Sequence, residues 1–123
     1  MDETILLVDD STEMSELLKH ILAETGYRVI AARNGEHALE ELARHSAPLD
    51  LLLTDVNMPV MSGTELYDRL RDWYPGLRVL FMSGYGAEPI RKRLDVDSRA
   101  GFLAKPFAVP ELLAAVRSVL DRD

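Results

Sequence analysis

The sequence has no cysteine, and this absence excludes several kinds of chemistry at once. Disulfide bonds, thiolate metal sites and cysteine nucleophiles all need that residue, and a cysteine-free chain fits a cytoplasmic location. Long apolar runs are missing too, so no segment could span a bilayer. The chain opens with Asp2 and Glu3, where a signal peptide would carry basic residues. We therefore predict a cytoplasmic protein that makes no membrane contact.

Positive charge is the second shortage. The 14 lysines and arginines stand against 21 aspartates and glutamates, which gives a formal net charge of −7 at pH 7. Nucleic-acid-binding domains need a basic surface that neutralises phosphates, so we expect no direct contact with nucleic acid. No linker, repeat or low-complexity tract divides the 123 residues. The length suits one hydrophobic core, and we predict a single domain over residues 1–123.

Short apolar runs rich in β-formers alternate with segments of helical period along the chain. The predicted strands are residues 4–8, 27–31, 50–54, 77–82 and 101–104. Five helices are also predicted. The first follows the apolar spacing of residues 14–22 and is stopped by Gly26, and the second spans 35–44 with Asn34 as its N-cap. The third begins at Ser62 and ends before Pro75, the fourth spans 87–94, and the fifth has Pro110 in its first turn. The alternation predicts an α/β fold, in which a five-stranded parallel sheet carries helices on both faces.

Polar residues follow the predicted strands. Asp9 and Asp10 come after the first, and Asp55, Ser83 and Lys105 come after the third, fourth and fifth. The carboxyl ends of parallel strands meet at one edge of the sheet, where open α/β folds bind ligands. In a flavodoxin-like strand order of 2-1-3-4-5, the first and third strands are neighbours about 4.8 Å apart. The three carboxylates should therefore meet in the crevice, flanked by the hydroxyl and the ammonium group.

Three adjacent carboxylates need more positive charge than one lysine provides. Because no cysteine is present and no histidine follows a strand, a hard cation such as Mg²⁺ is the predicted counter-charge. A carboxylate can also attack phosphorus and form an acyl phosphate. Asp55 is the predicted nucleophile because it lies centrally, and Ser83 and Lys105 would bind phosphoryl oxygens. One acid at a strand end could be a helix cap, but the matching positions together indicate a site.

Four segments, in order along the chain, resemble the receiver domains of two-component response regulators, chemotaxis regulators among them. They read LVDD at 7–10, DVNMPVMSG at 55–63, MSGY at 82–85 and LAKPF at 103–107. The resemblance extends from Ile5 to the last helix, and it implies the strand order 2-1-3-4-5. The opening stretch ETILLVDD at 3–10 and the Ser-Gly-Tyr loop at 83–85 are also similar to receivers attached to the C-termini of hybrid histidine kinases. A stand-alone regulator and a module of such a kinase are both open interpretations.

The resemblance implies a role for each residue of the site. Asp55 would accept a phosphoryl group from a histidine kinase or a histidine phosphotransfer domain, and the signal would pass to a downstream protein partner. Asp9, Asp10 and Asp55 would hold Mg²⁺ together with the backbone carbonyl of Asn57. Lys105 would bind the phosphoryl group, and the peptide bond that follows it would be cis. The only catalysis implied is that of the domain's own phosphorylation and dephosphorylation.

The resemblance also implies a turn residue and a conformational switch. Gly63 would allow a sharp turn after the loop that follows Asp55. Ser83 and Phe102 correspond to a hydroxyl–aromatic pair that changes conformation on phosphorylation. A tyrosine often stands where this chain has Phe102, which has no hydroxyl for the hydrogen bond that a tyrosine would make. Tyr85 is therefore a candidate for part of the switch, and Phe102 is either a switch residue or an ordinary core aromatic.

Two other functions fit the same fold class. Mg²⁺-dependent phosphatases of the haloacid-dehalogenase type also use an aspartate nucleophile, but they need a second aspartate two residues later as general acid, where this chain has Asn57. A flavodoxin-like cofactor binder would need a glycine-rich or hydroxyl-rich phosphate loop after the first strand, and the sequence has none there. The receiver interpretation leads, and the phosphatase is the alternative.

Overall fold

The computed structural model describes residues 2–45 and 48–122 as five strands that alternate with helices. The elements are β1 (Thr4–Val8), α1 (Thr12–Glu24), β2 (Arg28–Ala32), α2 (Gly35–Arg44), β3 (Leu51–Asp55), α3 (Gly63–Arg71), β4 (Arg78–Ser83), a 3-10 turn (Glu88–Ile90), α4 (Arg91–Val96), β5 (Ala100–Ala104) and α5 (Val109–Leu120). All strand pairs are parallel, and the order is β2-β1-β3-β4-β5. The predicted fold class and strand order are confirmed.

Three strands, β2, β3 and β4, begin and end one residue later than predicted. The shift makes Asp55 and Ser83 the last residues of their strands. Hydrogen bonds between strands continue past both, because the Val56 amide donates to the Met82 carbonyl at 3.0 Å and the Lys105 amide donates to the Ser83 carbonyl at 2.9 Å. This backbone pairing holds the Asp55 and Ser83 side chains at the carboxyl edge of the sheet.

Side-chain caps define the starts of α1, α2 and α3. Ser11, Asn34 and Ser62 each accept a hydrogen bond from the backbone amide three residues later, which satisfies an amide that the helix itself leaves unpaired. The predicted starts at Asn34 and Ser62 are therefore confirmed. The α3 helix ends at Arg71, before Pro75, as predicted.

The fourth helical segment differs from the continuous helix predicted at 87–94. A 3-10 turn comes first, with Pro89 near its start, and a six-residue α4 follows. Neither piece has a side-chain cap, and the only buried residue of the segment is Ile90. With one buried anchor and no cap, little in the local sequence favours a longer regular helix.

Two apolar layers cover the two faces of the sheet. One layer joins the sheet to α2 and α3 through Ala38, Leu42, Leu66, Tyr67 and Leu70, and the other joins it to α1 and α5 through Leu18, Leu22, Leu112, Val116 and Val119. Every residue of β1 and β3 is buried, as expected for central parallel strands, and each buried leucine contributes about 1.5–3 kcal/mol. In the described ranges, no helix combines the length and apolar content needed to cross a bilayer.

Candidate functional site

The carboxyl edge of the sheet brings the three predicted aspartates together. Asp9 follows β1, Asp55 ends the neighbouring β3, and Asp10 begins the turn into α1. One carboxylate oxygen from each lies within 4.8 Å of the others. Asp9 and Asp55 are buried, whereas Asp10 is exposed to solvent. A buried pair of acids with an exposed third is therefore assembled at the crevice between β1 and β3.

Lys105 supplies the positive charge of this edge. Its Nζ lies 2.5 Å from Asp55 Oδ1 and 3.2 Å from Asp9 Oδ2, so one ammonium group bridges the two buried carboxylates. The peptide bond between Lys105 and Pro106 is cis, as the resemblance implied. With three carboxylates and one ammonium, the site keeps an excess of negative charge.

The pKa of Asp55 is raised by these surroundings. Burial is the main cause that raises this pKa from the usual 3.8 to about 6; the hydrogen bond from Lys105 acts in the opposite direction, and the charge of Asp9 contributes to the rise. Burial would lower the pKa of Lys105, but the contacts with Asp55 and Asp9 outweigh it, so that pKa is raised and the amine stays charged. An additional cation would stabilise ionised Asp55 and lower its pKa.

The donor atoms at this edge suit a hard cation. The grouped ligand atoms are all carboxylate oxygens, which Mg²⁺ and Ca²⁺ prefer over nitrogen or sulfur. Hydrogen bonds fix both oxygens of the Asp9 carboxylate, since Oδ1 accepts from the Ser11 amide at 2.8 Å and Oδ2 accepts from the Lys105 ammonium group. Asp9, Asp10 and Asp55 could therefore hold a divalent ion, with Asp9 held firmly in place.

A cavity of about 210 Å³ opens beside Asp55. It is lined by Asp10, Asp55, Asn57, Met82, Ser83, Gly84, Tyr85 and Lys105. Sites for organic ligands usually measure about 300–1,000 Å³, so this one suits a small oxyanion with a metal ion and water better than a flavin or nucleotide. Met82 and Gly84 were not predicted as site residues, although their position on either side of Ser83 could have indicated them.

Gly63 lies against the backbone of the strand that carries Asp55. A β-carbon on Gly63 would overlap the carbonyl oxygen of Asp55, and the Gly63 amide donates to the Val56 carbonyl at 2.9 Å. The predicted sharp turn does not depend on a left-handed glycine at this position, because the residue with positive φ in this loop is Val60, at 72°. Gly63 is needed for close backbone approach instead.

The residues predicted to form a switch lie at different depths. The Ser83 hydroxyl accepts a hydrogen bond from the Tyr85 amide at 3.0 Å, and both residues line the cavity. The Tyr85 side chain is 84% exposed. Phe102 does not line the cavity; it is half-buried, lies opposite Phe81 across β4 and β5, and packs against the apolar layer that contains α3.

The family model described as response regulator receiver domain matches residues 5–117. The chain belongs to the response regulator receiver domain family. This receiver domain is 34% identical over 119 residues to the sensor kinase CckA of Brucella abortus (strain 2308), and 35% identical over 116 residues to the response regulator receiver protein CpdR of the same strain. These matches cover 97% and 94% of the chain. The solved structure of chemotaxis protein CheY4 of Vibrio cholerae matches it with a TM-score of 0.84 at 29% identity, over 97% of this chain and 99% of that one.

The receiver domain corresponds to very different shares of its relatives. It spans 95% of CpdR but only 13% of CckA. It also spans 49% of the transcriptional regulatory protein CpxR of Escherichia coli (strain K12), to which it is 39% identical. The same unit therefore occurs alone, in a kinase and in a transcriptional regulator.

Proposed function

We propose that this receiver domain accepts a phosphoryl group on Asp55 in a Mg²⁺-dependent reaction. The observation that carries the proposal is the position of Asp55 beside a small cavity, with Asp9, Asp10 and Lys105 close to its carboxylate and Ser83 in the cavity wall. A carboxylate oxygen of Asp55 attacks phosphorus, and the bond from phosphorus to the donor breaks. The donor keeps the electron pair of that bond, and Asp55 becomes an acyl phosphate.

Each neighbour of Asp55 has a part in this transfer. Asp9, Asp10, Asp55 and the backbone carbonyl of Asn57 would hold Mg²⁺, which neutralises charge on the phosphoryl oxygens when bound. Lys105 already contacts Asp55 at 2.5 Å, so its ammonium group can turn to a phosphoryl oxygen as the charge moves there. The Ser83 hydroxyl donates to another oxygen from the cavity wall.

The donor is a histidine kinase or a histidine phosphotransfer domain, and the product signals to a downstream protein partner in the cytoplasm. Support comes from the relatives, which include a sensor kinase and a response regulator. Both a stand-alone regulator, with one domain over residues 1–123, and a receiver module within a hybrid kinase agree with those lengths. Turnover of an external phosphate ester is not proposed, because Asn57 offers no general acid.

The signal begins at Ser83. To reach the phosphoryl group, its hydroxyl must reorient, and this disturbs the hydrogen bond from the Tyr85 amide. Tyr85 at the surface and Phe102 on β5 then respond. Amide chemical shifts measured with and without beryllium fluoride, a phosphoryl mimic, should change around all three residues. If Phe102→Ala leaves the shift pattern elsewhere unchanged, Phe102 is a core aromatic and not a switch residue.

Intact-mass measurement tests the phosphorylation itself. Incubation with acetyl phosphate and Mg²⁺ should add the mass of one phosphoryl group to the wild type, and EDTA should prevent the addition. Asp55→Asn should show no adduct, whereas Asp72→Asn, which removes an exposed acid at the end of α3, should behave as the wild type does. An undiminished adduct on Asp55→Asn, or none on the wild type, would contradict the proposal.

A further inference from the structure

A second cavity lies at the opposite edge of the sheet from Asp55. It has a volume of about 610 Å³ and is lined by Arg71, Lys92, Arg93, Val96, Asp97, Ser98 and Arg99. Arg71 is the last residue of α3, and Arg99 directly precedes the first residue of β5, so this cleft adjoins the amino ends of the strands. It shares no lining residue with the phosphorylation cavity. We call it the basic cleft.

The basic cleft is cationic on a chain whose net charge is −7. Its one acid, Asp97, is only 11% exposed in its side chain. Asp97 is already bonded, since Oδ1 accepts from the Arg99 amide at 3.0 Å and Oδ2 accepts from the Tyr67 hydroxyl at 3.1 Å. Asp97 also lies 3.5 Å from Arg71, so it offsets one of the four cationic charges of the cleft and leaves the lining with a net positive charge.

Two of the four cations are held in place. The Arg71 and Arg93 guanidinium carbons lie 5.1 and 5.9 Å from the centroid of the Tyr67 ring, within the range of cation–π attraction. Arg93 also forms two hydrogen bonds with Asp68, at 2.8 and 3.0 Å. Tyr67 itself is fully buried. The cleft thus has a fixed wall, unlike a surface of freely moving lysines.

The other two cations, Lys92 and Arg99, have no partner among the residues that the structure describes. Among residues 2–45 and 48–122, neither the Lys92 ammonium nor the Arg99 guanidinium makes an ion pair or side-chain hydrogen bond. Arg71 lies at the C-terminal end of α3, where a cation stabilises the helix dipole, and Arg93 pairs with Asp68. Lys92 lies between Arg91 and Arg93 on α4, so it adds to the repulsion between like charges there. Fold stability does not explain this concentration of charge.

An apolar side chain borders the cations. Val96, at the end of α4, is 85% exposed although it is part of the cleft wall. The cavity volume is within the range usual for organic ligands. Guanidinium groups match phosphate oxygens in geometry, and several cations along one cleft match several phosphates better than one.

We propose that the basic cleft binds a polyphosphate chain, either inorganic or carried by a nucleoside, with Lys92 and Arg99 as its free contacts. Inorganic and nucleoside-borne chains share the same oxyanion chemistry. They differ in what they could contact at Val96: a nucleoside has apolar surface that could pack on this exposed side chain, and an inorganic chain has none.

The test is a titration of the ¹⁵N-labelled chain with inorganic triphosphate, up to about 5 mM, followed by amide chemical shifts. EDTA is present, because without a divalent ion the acidic edge at Asp55 repels the anion. Saturable shifts are expected at Ser98 and Arg99, with none at Ser83. Adenosine triphosphate is the second arm, and a shift at Val96 with it alone indicates a nucleoside-borne ligand. Absence of saturable shifts at the cleft with both ligands would overturn the proposal.

A charge-matched pair of variants separates a site from general attraction. Lys92→Gln with Arg99→Gln should weaken triphosphate binding at least about fivefold. The control, Arg28→Gln with Arg44→Gln, removes the same charge from exposed positions on β2 and α2, and β2 is the edge strand farthest from β5; this variant should bind as the wild type does. A smaller loss in the first variant, or an equal loss in the control, would overturn the proposal. Binding of hexaglutamate in preference to triphosphate would also overturn it and assign the cleft to an acidic protein segment.

Discussion

Asp55 is subject to opposing electrostatic influences at the scale of a single residue. Burial and the Asp9 carboxylate disfavour its charged form, while the Lys105 ammonium group 2.5 Å away favours it. Burial dominates, and the pKa of Asp55 is raised to about 6. In the absence of a divalent cation, ionised Asp55 therefore costs folding stability at neutral pH.

The pH dependence of stability should reveal this cost. Because the folded pKa of Asp55 lies above the unfolded value, the folded chain binds more protons, so this residue makes stability fall as the pH rises from about 4 to about 6. Urea unfolding in EDTA should show the wild type losing stability relative to Asp55→Asn across that window. Parallel pH curves for the two proteins would contradict the assignment.

Gly63 allows a second test on one residue. An alanine there would press its β-carbon into the Asp55 carbonyl, so Gly63→Ala should destabilise the fold by about 2 kcal/mol or more. Gly76→Ala is the control, because a β-carbon there meets nothing within 4 Å, and it should change stability by less than about 0.5 kcal/mol. Equal unfolding midpoints in urea for the two variants would refute the role given to Gly63.

The sequence predicts which residues meet at the site better than it predicts what each does there. Asp9, Asp10 and Asp55 could be placed together because strand direction and order alone bring them to one edge. The burial of Asp9 beside an exposed Asp10 was not predictable, because it depends on how the chain turns into α1 and on the path of the Lys105 side chain from β5.

At the scale of whole elements, an arginine on α5 contacts residues at the amino ends of β1 and β2. Arg117 donates to Glu3 at 2.7 Å, to the Tyr27 hydroxyl at 3.3 Å and to Asp121 at 2.8 Å. The hydrogen bond from Arg117 lowers the pKa of Glu3. These contacts connect α5 to the residues that precede β1 and β2.

Replacement of this arginine should loosen that connection. Arg117→Met should lower the free energy of unfolding by about 1 kcal/mol at neutral pH, given partial exposure of the pair. Because the pKa of Glu3 is depressed, its contribution is present above its usual pKa of 4.5 and is lost as the pH falls through the folded value. The stability difference between variant and wild type should therefore shrink in acid.

The matched control is an arginine in an exposed helical pair. Arg69 lies 3.4 Å from Glu65 on α3, with both side chains about half exposed. Arg69→Met should cost less than about 0.5 kcal/mol in the same urea experiment. Equal losses of stability in the two variants, or an Arg117→Met difference that does not change with pH, would contradict a stabilising link between α5 and Glu3.

The elements that could be predicted are those with strong local signals. Asn34 and Ser62 marked helix starts because their side chains bond to nearby amides, which is a local event. The 3-10 turn before α4 was missed, since one buried residue, Ile90, anchors the segment. Asp50, directly before β3, accepts a hydrogen bond on its carboxylate from the distant Thr4 amide at 2.8 Å, a contact that the local sequence does not reveal.

At the scale of the whole molecule, the acidic edge at Asp55 and the basic cleft lie at opposite ends of the strands. The fold class and strand order were predictable because the alternation of strands and helices and the resemblance restrict the same choice. The basic cleft was not, because Arg71, the run at 91–93 and Arg99 are separated in sequence and meet only through the packing of α3, α4 and β5 around Tyr67.

Binding of Mg²⁺ should stabilise the whole fold. A ligand that binds only the folded state at about 100 times its dissociation constant adds about 2.7 kcal/mol to stability. Thermal unfolding should therefore shift to higher temperature with MgCl₂ and not with NaCl of equal ionic strength. Asp10→Asn should lose most of the shift, while Asp72→Asn should keep it. An equal shift in the two variants would place the ion elsewhere.

The most direct measurement locates the phosphoryl group on the chain. After incubation with acetyl phosphate and Mg²⁺, sodium borohydride reduces an aspartyl phosphate to homoserine, which tandem mass spectrometry assigns to one position. We predict homoserine at position 55, dependent on Mg²⁺ and absent from Asp55→Asn. Homoserine at position 9 or 10, or a borohydride-resistant phosphate on Ser83, would contradict the account.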